Sequence, residues 1–246
     1  MKNILIIGAT SAISKAFAER VSTIDNKLFF VARDNKKINA LKNDLVIRHS
    51  AKIETFILDV NNIDKISEMY SAAKFFLGNI DTILISYGTL PNQTECENDI
   101  EFAVSEFKTN TIGTIGLCLK AGNVLQEQKS GTLVVITSVA GDRGRQSNYL
   151  YGSAKGAVNI FLQGLRNRLT KFGVKVLTVK PGFVDTPMTA HLPQNPLFSS
   201  PELIAKGIVN AINKKKAREI YLPGYWRIIM FIIKAVPGKI FNKLSL

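Results

Sequence analysis

The chain has 246 residues, of which 46% are hydrophobic and 21% charged, a composition that excludes a disordered protein and fits a single globular domain. Cys96 and Cys118 have no paired spacing, His49 and His191 lie near no acidic or cysteine cluster, and nothing before the first apolar run resembles a signal peptide. The sequence therefore predicts a cytoplasmic protein without a disulfide framework, a metal site or a histidine-based triad.

Short apolar runs alternate along the chain with segments of helical periodicity. Strands are predicted at 3–7, 27–32, 52–58, 81–86, 132–137 and 174–179, and the first helices at 12–21, 36–48 and 62–77. Apolar runs that do not alternate with polar residues are typical of a parallel sheet buried on both faces. The predicted fold class is therefore α/β, a single-domain Rossmann-type doubly wound parallel sheet with helices on both faces.

In such a fold the ligand binds at the carboxyl ends of the strands, so functional residues are expected just after them. The catalytic domain is predicted to span residues 1–222, and the long Pro-containing segment at about 187–201 is predicted to be a substrate lid. Residues 223–246 are predicted to form an amphipathic basic tail.

The first strand ends at Gly8, and the turn that follows leads into a helix. Free amides and the dipole at a helix N-terminus favour a pyrophosphate. An ordinary strand-to-helix turn capped by Thr10 or Ser11 is the alternative, and the turn by itself leaves both open.

Tyr151 and Lys155 are four residues apart on a predicted helix, so their side chains lie on one face. A phenol with a pKa near 10 becomes an effective acid–base group near pH 7 only if about 4 kcal/mol stabilises its phenolate. The Lys155 ammonium can supply part of that stabilisation. The alternative for such a spacing is a pair of solvated side chains on a helix. Tyr149 is a weaker candidate than Tyr151, because the residue four positions after it is Ser153 and not a cation.

From residue 2 to about 188 the chain resembles the short-chain dehydrogenase/reductase family. The family's turn reads T-G-x-x-x-G-x-G; here Ile7 replaces the Thr, Gly8 is kept, and Ala12 and Ser14 occupy the other glycine positions. The resemblance implies that the cofactor phosphates bind at this turn, through Gly8, Thr10, Ser11, Ala12 and Ile13.

The resemblance also implies where the rest of a nicotinamide cofactor binds. Arg33, after the second strand, is suited to the 2′-phosphate of NADP and favours NADP(H) over NAD(H), although an ordinary surface arginine is the alternative. The remaining cofactor residues implied by the resemblance are Asp59 and Val60 for the adenine, Gly88 after the fourth strand, and Pro181, Gly182, Val184 and Thr186 for the nicotinamide, with Tyr151 and Lys155 beside it.

The resemblance assigns catalysis to Asn110, Ser138, Tyr151 and Lys155, which occur in the family's order and at similar separations. It implies that Tyr151 exchanges a proton with a substrate oxygen, Ser138 binds that oxygen, and Asn110 anchors a water beside Lys155. The predicted function is an NADP(H)-dependent oxidoreductase that interconverts a ketone and a secondary alcohol. The alternative, motivated by the two lost glycines, is a catalytically weak cofactor-binding regulatory or scaffolding protein.

The net charge of +13 is concentrated at the C-terminal end, where residues 202–246 carry +7. No basic segment carries a nucleic-acid-binding motif, so no nucleic-acid partner is predicted. In the run from Tyr225 to Val236, a helical wheel places Arg227 and Lys234 opposite an apolar side that contains Trp226, Ile229, Ile232, Ile233 and Val236. Peripheral contact with an anionic membrane and packing against the protein or a second subunit are both open for this tail.

The tail resembles that of the family branch that reduces polyprenyl-phosphoryl keto sugars, the decaprenylphosphoryl-2-keto-pentose reductases. This implies a small-molecule or lipid-linked carbonyl substrate. The family also implies a homo-oligomer, formed through long helices expected at 100–128 and 149–171.

Overall fold

The strands of the protein form one parallel sheet in the computed structural model, which describes residues 2–214 and 218–244. They are β1 (Asn3–Ile7), β2 (Lys27–Ala32), β3 (Lys52–Ile57), β4 (Thr82–Ile85), β5 (Thr132–Ile136), β6 (Lys175–Pro181) and β7 (Glu219–Leu222). Their order across the sheet is β3-β2-β1-β4-β5-β6-β7. The order reverses between β1 and β4, and there the crossovers leave a crevice at the strands' carboxyl ends. The predicted fold class is confirmed.

The helices cover both faces of this sheet. They are α1 (Ala12–Val21), α2 (Asn35–His49), α3 (Ile66–Leu77), α4 (Gln93–Asn98), α5 (Ile100–Phe107), α6 (Gly113–Gln128), α7 (Tyr149–Thr170), α8 (Pro201–Asn213), α9 (Trp226–Ala235) and α10 (Gly238–Phe241). The helix expected at 62–77 opens with a 3-10 turn at Ile63–Lys65, and the helix expected at 100–128 is interrupted by a π-helical segment at Lys108–Ile112. The sequence patterns did not indicate β7 or α8.

Consecutive residues of a strand point to opposite faces, and here both faces are buried. Leu5 and Ile7 of β1 lie in a core shared with α3, α6 and α7, whereas Ile4 and Ile6 lie in a core shared with α1 and α8. This two-sided burial explains why the strands are continuous apolar runs rather than alternating ones.

The tail helix α9 packs on the protein through one side only. Trp226 and Met230 are buried against Val139, with Ile229 and Ile233 partly covered, whereas Ile232 is 58% exposed. The expectation that Ile232 shares the side of Trp226 is wrong, because six residues of α-helix separate them by about 120°. No helix among residues 2–214 and 218–244 is long and apolar enough to cross a membrane. Residues 215–217 of the basic region 202–246, and residues 245–246 at the end of the predicted tail, lie outside the described residues.

Candidate active site

The carboxyl edge of the sheet brings together residues from distant parts of the chain. Gly8, Gly88 and Ser138 follow β1, β4 and β5, and Pro181 ends β6. Tyr151 and Lys155 lie in the first two turns of α7, and Asn110 lies in the π-helical segment between α5 and α6. The sheet topology therefore forms the predicted constellation at one end of the molecule.

Asn110, Lys155 and Gly88 meet at the centre of this site. Gly88 has a φ of +153°, and a Cβ there would lie 2.7 Å from Asn110 Oδ1 and 3.0 Å from Lys155 Nζ. Asn110 is held in place because its Oδ1 accepts from the Thr89 amide at 3.2 Å and its Nδ2 donates to Thr89 Oγ1 at 2.9 Å. Gly88 thus leaves room for an amide oxygen and an ammonium that a side chain at this position would displace.

Ser138 and Tyr151 face each other across the same site. The Ser138 hydroxyl is near enough to Tyr151 to lower its pKa, and Ser138 Oγ accepts from the Ala140 amide at 3.1 Å. Lys155 Nζ lies 5.5 Å from the centre of the Tyr151 ring. The structure therefore places all four predicted catalytic residues together.

Burial governs the protonation of the Tyr151–Lys155 pair. It raises the pKa of Tyr151 to about 12, against the opposing effect of the Ser138 hydrogen bond, and it lowers the pKa of Lys155, which is only 4% exposed, to about 8. The expected lowering of the Tyr151 pKa thus does not occur in the protein alone, because desolvation of the phenolate outweighs the effect of Ser138. Near pH 7 both groups are protonated, the state in which a phenol can donate.

At the phosphate turn, Gly8 is required by the fold itself. It has a φ of +83°, and a Cβ there would lie 2.6 Å from the Ser86 carbonyl oxygen. Ser11 caps α1 by accepting from the Ser14 amide at 3.2 Å and bonds Ser86 Oγ at 3.1 Å. Ser14 is fully buried and its hydroxyl has no partner among the described residues, so the third glycine position accommodates a larger side chain.

The same turn retains the groups that bind phosphate. Thr10, Ser11, Ala12 and Ile13 are all half-exposed, and in the described chain the amides of Ala12 and Ile13 donate to no protein acceptor. Free amides at a helix N-terminus, next to two hydroxyls, suit an anionic pyrophosphate. The turn therefore fits the cofactor despite its two missing glycines.

The end of the crevice where the adenine is expected is open to solvent. Arg33 is exposed directly after β2, while its neighbour Asp34 accepts from the Lys37 amide at 3.0 Å and caps α2. Asp59 is exposed and accepts from the Asn61 amide at 2.9 Å, and Val60 is half-buried. A guanidinium, rather than a carboxylate, is thus the group free to meet a ribose substituent here.

On the nicotinamide side, the backbone after β6 is fixed by its neighbours. The Gly182 amide donates to Leu222 O at 3.0 Å, and a Cβ on Gly182 would overlap the indole of Trp226. Val184 is buried in the core, so only its backbone can reach a cofactor, and the Thr186 amide donates to Thr189 Oγ1 at 3.2 Å. Pro181 is buried at the end of β6.

A buried ionic network beside the site was missed by the sequence reasoning. Lys180 Nζ lies 2.6 Å from Asp142 Oδ1 and 2.7 Å from Glu219 Oε1, and Tyr221 OH donates to Asp142 Oδ2 at 2.6 Å. The signal in the sequence that could have revealed this network is Lys180, a lysine within an apolar parallel strand, because a buried ammonium group needs partners. The network ties the segment after Ser138 to β6 and β7.

Other candidates lie away from this chemistry. Tyr149 is exposed and donates to Glu97 Oε1 at 2.9 Å, so it does not enter the site. Cys96 and Cys118 are free and buried. Among the described residues no group of His, Cys, Asp and Glu could hold a metal ion.

Comparisons with known proteins agree with this geometry. A family model described as short chain dehydrogenase matches residues 2–197. An uncharacterized oxidoreductase from the mprA 5' region of Streptomyces coelicolor is 31% identical over 245 residues, which cover 99% of this chain and 96% of that protein.

Two solved structures share the fold. An actinorhodin polyketide ketoreductase with NADPH has a TM-score of 0.81 at 20% identity, over 91% of this chain and 97% of that chain. A short chain dehydrogenase from Burkholderia cenocepacia in complex with NADP has a TM-score of 0.82 at 19% identity, over 100% of both chains. Because the family model matches most of the chain, the chain belongs to the short chain dehydrogenase family and is an oxidoreductase.

Proposed function

We propose that the chain is an NADP(H)-dependent oxidoreductase that interconverts a ketone and a secondary alcohol, with Tyr151 as the proton donor and acceptor. The observation that carries the proposal is the convergence of Asn110 and Lys155 at Gly88, beside the neighbouring side chains of Ser138 and Tyr151. Neutral Tyr151 suits reduction, because a protonated phenol can donate to the oxygen of a carbonyl as it gains negative charge.

Each of the four catalytic residues has one task in the proposed reaction. Ser138 hydrogen-bonds the substrate oxygen and holds it beside Tyr151, which donates the proton. Lys155 would stabilise the resulting phenolate, and Asn110 would hold a water that connects Lys155 to solvent. The nicotinamide, when bound, supplies or accepts the hydride.

The cofactor would be held along the carboxyl edge of the sheet. The free amides of α1 and the hydroxyls of Thr10 and Ser11 would hold the pyrophosphate, and Arg33 would meet the 2′-phosphate. NADPH and NADP in the two solved structures support the preference for NADP(H).

A turnover screen tests the proposal against its rival, a scaffolding protein that binds cofactor without catalysis. NADPH consumption would be followed with a panel of ketones that includes lipid-linked keto sugars. Turnover of any ketone supports the enzyme. Tight NADPH binding without turnover of any ketone favours the scaffold.

A second proposal concerns the tail, whose outer side is apolar and basic. Ile228, Phe231 and Ile232 of α9 are 66%, 72% and 58% exposed, and Arg227 and Lys234 are exposed on the same helix. Each cation near an anionic surface contributes about 1 kcal/mol, and the apolar side chains add to this. Peripheral contact with the cytoplasmic membrane face would bring the site to a lipid-linked substrate, and residues 187–201 would close over it as a lid.

Liposome cosedimentation tests the membrane proposal. Because Trp226 packs against Gly182, deleting the tail would disturb the site as well, so Ile228→Ser with Phe231→Ser is the cleaner variant. This double variant should lose binding to phosphatidylserine-containing vesicles, whereas Phe75→Ser, at a residue 94% exposed on α3, should retain it. Absence of wild-type binding at low salt would reject the proposal.

We also propose a homo-oligomer formed through the long helices. Leu119 on α6 and Ile160 on α7 are 45% and 72% exposed, an arrangement that leaves apolar side chains outside the monomer core. Sedimentation velocity tests this directly. A larger species that Ile160→Glu converts to monomer supports the helical interface, and a monomeric wild type excludes it.

A further inference from the structure

Arg145 lies in the loop between Ser138 and Tyr151 and is half-buried without an acidic partner. Its Nε is fully buried and has no hydrogen-bond partner in the described chain, and its Nη2 contacts only the Met230 sulfur, at 3.8 Å. Desolvation lowers the pKa of this guanidinium. The Nε–Nη2 edge, which pairs with carboxylates and phosphates in a bidentate manner, therefore meets no strong acceptor.

The charge of Asp142 raises the pKa of Arg145, against the effect of burial, but Asp142 forms no hydrogen bond or salt bridge with Arg145 in the described chain. Both carboxylate oxygens of Asp142 are occupied, one by Lys180 and the other by Tyr221. Arg143, two residues before Arg145, contrasts with it: Arg143 donates to the Ile233 and Val236 carbonyl oxygens and stacks on Phe241, 3.7 Å from the ring centre. The tail thus supplies carbonyl acceptors for the Arg143 guanidinium but supplies none for the Arg145 guanidinium in the described chain.

Two further buried polar atoms without partners in the described chain lie on segments that contact Arg145. Asn148 Oδ1 lies on the same loop, where the Asn148 amide donates to Arg145 O at 3.2 Å. Trp226 Nε1 belongs to a side chain only 2% exposed, one helical turn before Met230 on the inner side of α9. Buried polar atoms are rarely left unpaired in native proteins, so the N–H donors Arg145 Nε and Trp226 Nε1, unpaired among the described residues, indicate a ligand that accepts hydrogen bonds.

The inner side of α9 packs against residues that neighbour the reacting groups. Met230 and Trp226 pack with Val139, the residue after Ser138, and Trp226 also contacts Gly182 in the segment assigned to the nicotinamide. The inner side of α9 is therefore a wall of the substrate side of the site. Met230 is a flexible thioether that can move aside for a stronger acceptor.

From this geometry we infer that Arg145 binds an oxyanion of the substrate, a carboxylate or a phosphate, and makes the enzyme selective for acidic ketones. The inference rests on the proposed function, because it specifies the substrate of that same site. Arg145 is then a specificity-determining residue, and its guanidinium gains an acidic partner only when an acidic substrate binds.

Matched pairs of ketones test this selectivity. NADPH-dependent reduction would be compared for levulinate against its methyl ester and for dihydroxyacetone phosphate against dihydroxyacetone, so that the two pairs distinguish a carboxylate from a phosphate. In the wild type, kcat/KM should be at least about 30-fold higher for the acidic member of one pair, and Arg145→Met should reduce that ratio at least about tenfold. Arg145→Lys should retain part of it, because it keeps the charge without the planar fork.

Arg20→Met provides the matched control, since it makes the same change at an exposed position in the last turn of α1, far from the carboxyl edge of the sheet. It should leave the ratio unchanged. A wild-type ratio near one in both pairs, or a ratio that Arg145→Met does not change, would overturn the inference. Failure of the wild type to reduce any ketone is a different result, which rejects the proposed function itself.

Thermal unfolding without ligand gives a second readout. Arg145→Met removes a buried charge that lacks a carboxylate, so Tm should stay the same or rise by about 2–4 °C. A guanidinium with a purely structural role would give a clear fall in Tm. Such a fall, together with an unchanged selectivity ratio, would assign Arg145 to the fold and not to the substrate.

Discussion

The two ends of the site differ in how closely their atoms are packed. At the catalytic end, Asn110 Oδ1 and Lys155 Nζ both lie within 3.0 Å of the position that a Cβ on Gly88 would take. At the phosphate end, Thr10 and Ala12 are half-exposed and one former glycine position holds the buried Ser14.

This difference explains which parts of the family pattern the chain has kept. Phosphate binding depends on backbone amides and a helix dipole, and these survive a change of side chain. Proton transfer depends on particular side-chain atoms within hydrogen-bond reach, so few other residues can serve. Variants at the two ends should therefore have effects of very different size.

The largest effect is expected from Tyr151→Phe, which removes only the hydroxyl that exchanges the proton. Ketone reduction should fall by about 10³-fold, while the Kd for NADPH stays within about twofold. Steady-state kinetics and fluorescence titration measure the two quantities. Substantial residual turnover would reject Tyr151 as the acid–base group.

Gly88→Ala should be next in size, because its Cβ would displace Asn110 and Lys155 and would be strained at a φ of +153°. A kcat lower by about 10–100-fold is expected, since small displacements of catalytic groups have effects of that order. The control is Gly144→Ala, where a Cβ meets no atom within 4 Å. Equal kcat values for the two variants would contradict the close packing proposed for the catalytic end.

The pH dependence of reduction should report Lys155 rather than Tyr151. The pKa of Lys155 is lowered to about 8 and that of Tyr151 is raised to about 12, so the first group to lose its proton as pH rises is the ammonium. If the charged ammonium is required, kcat/KM for reduction should fall about tenfold between pH 7 and 9. A profile that is flat over this range would argue against a role for the Lys155 charge.

The smallest effect is expected at the open end, from Arg33→Ala. Because Arg33 is exposed, its contact with a 2′-phosphate is screened, and an approximately fivefold weaker Kd for NADPH corresponds to about 1 kcal/mol. The Kd for NADH should not change. An equal loss of affinity for NADPH and NADH would show that Arg33 does not bind the 2′-phosphate.

Local patterns were enough to predict most of the scaffold. The strands from β1 to β6 were predictable because burial on both sides demands continuous apolar runs, and the Tyr151–Lys155 pair because residues four apart share a helix face. The short strand β7 was missed, since its four half-buried residues carry no comparable signal.

Contacts between distant segments could not be read from such patterns. Asn110 and Lys155 both lie beside Gly88 only because the π-helical segment and α7 meet there, and Lys180 pairs with Asp142 and Glu219 only where three elements meet. Periodicity showed that α9 has apolar residues but not which of them the protein covers. The sequence by itself thus determined the fold class and the chemical groups of the site. Only the tertiary structure decided which groups are buried, which are paired and which, like Arg145, lack a partner among the described residues, because burial and pairing depend on segments that are far apart in the chain.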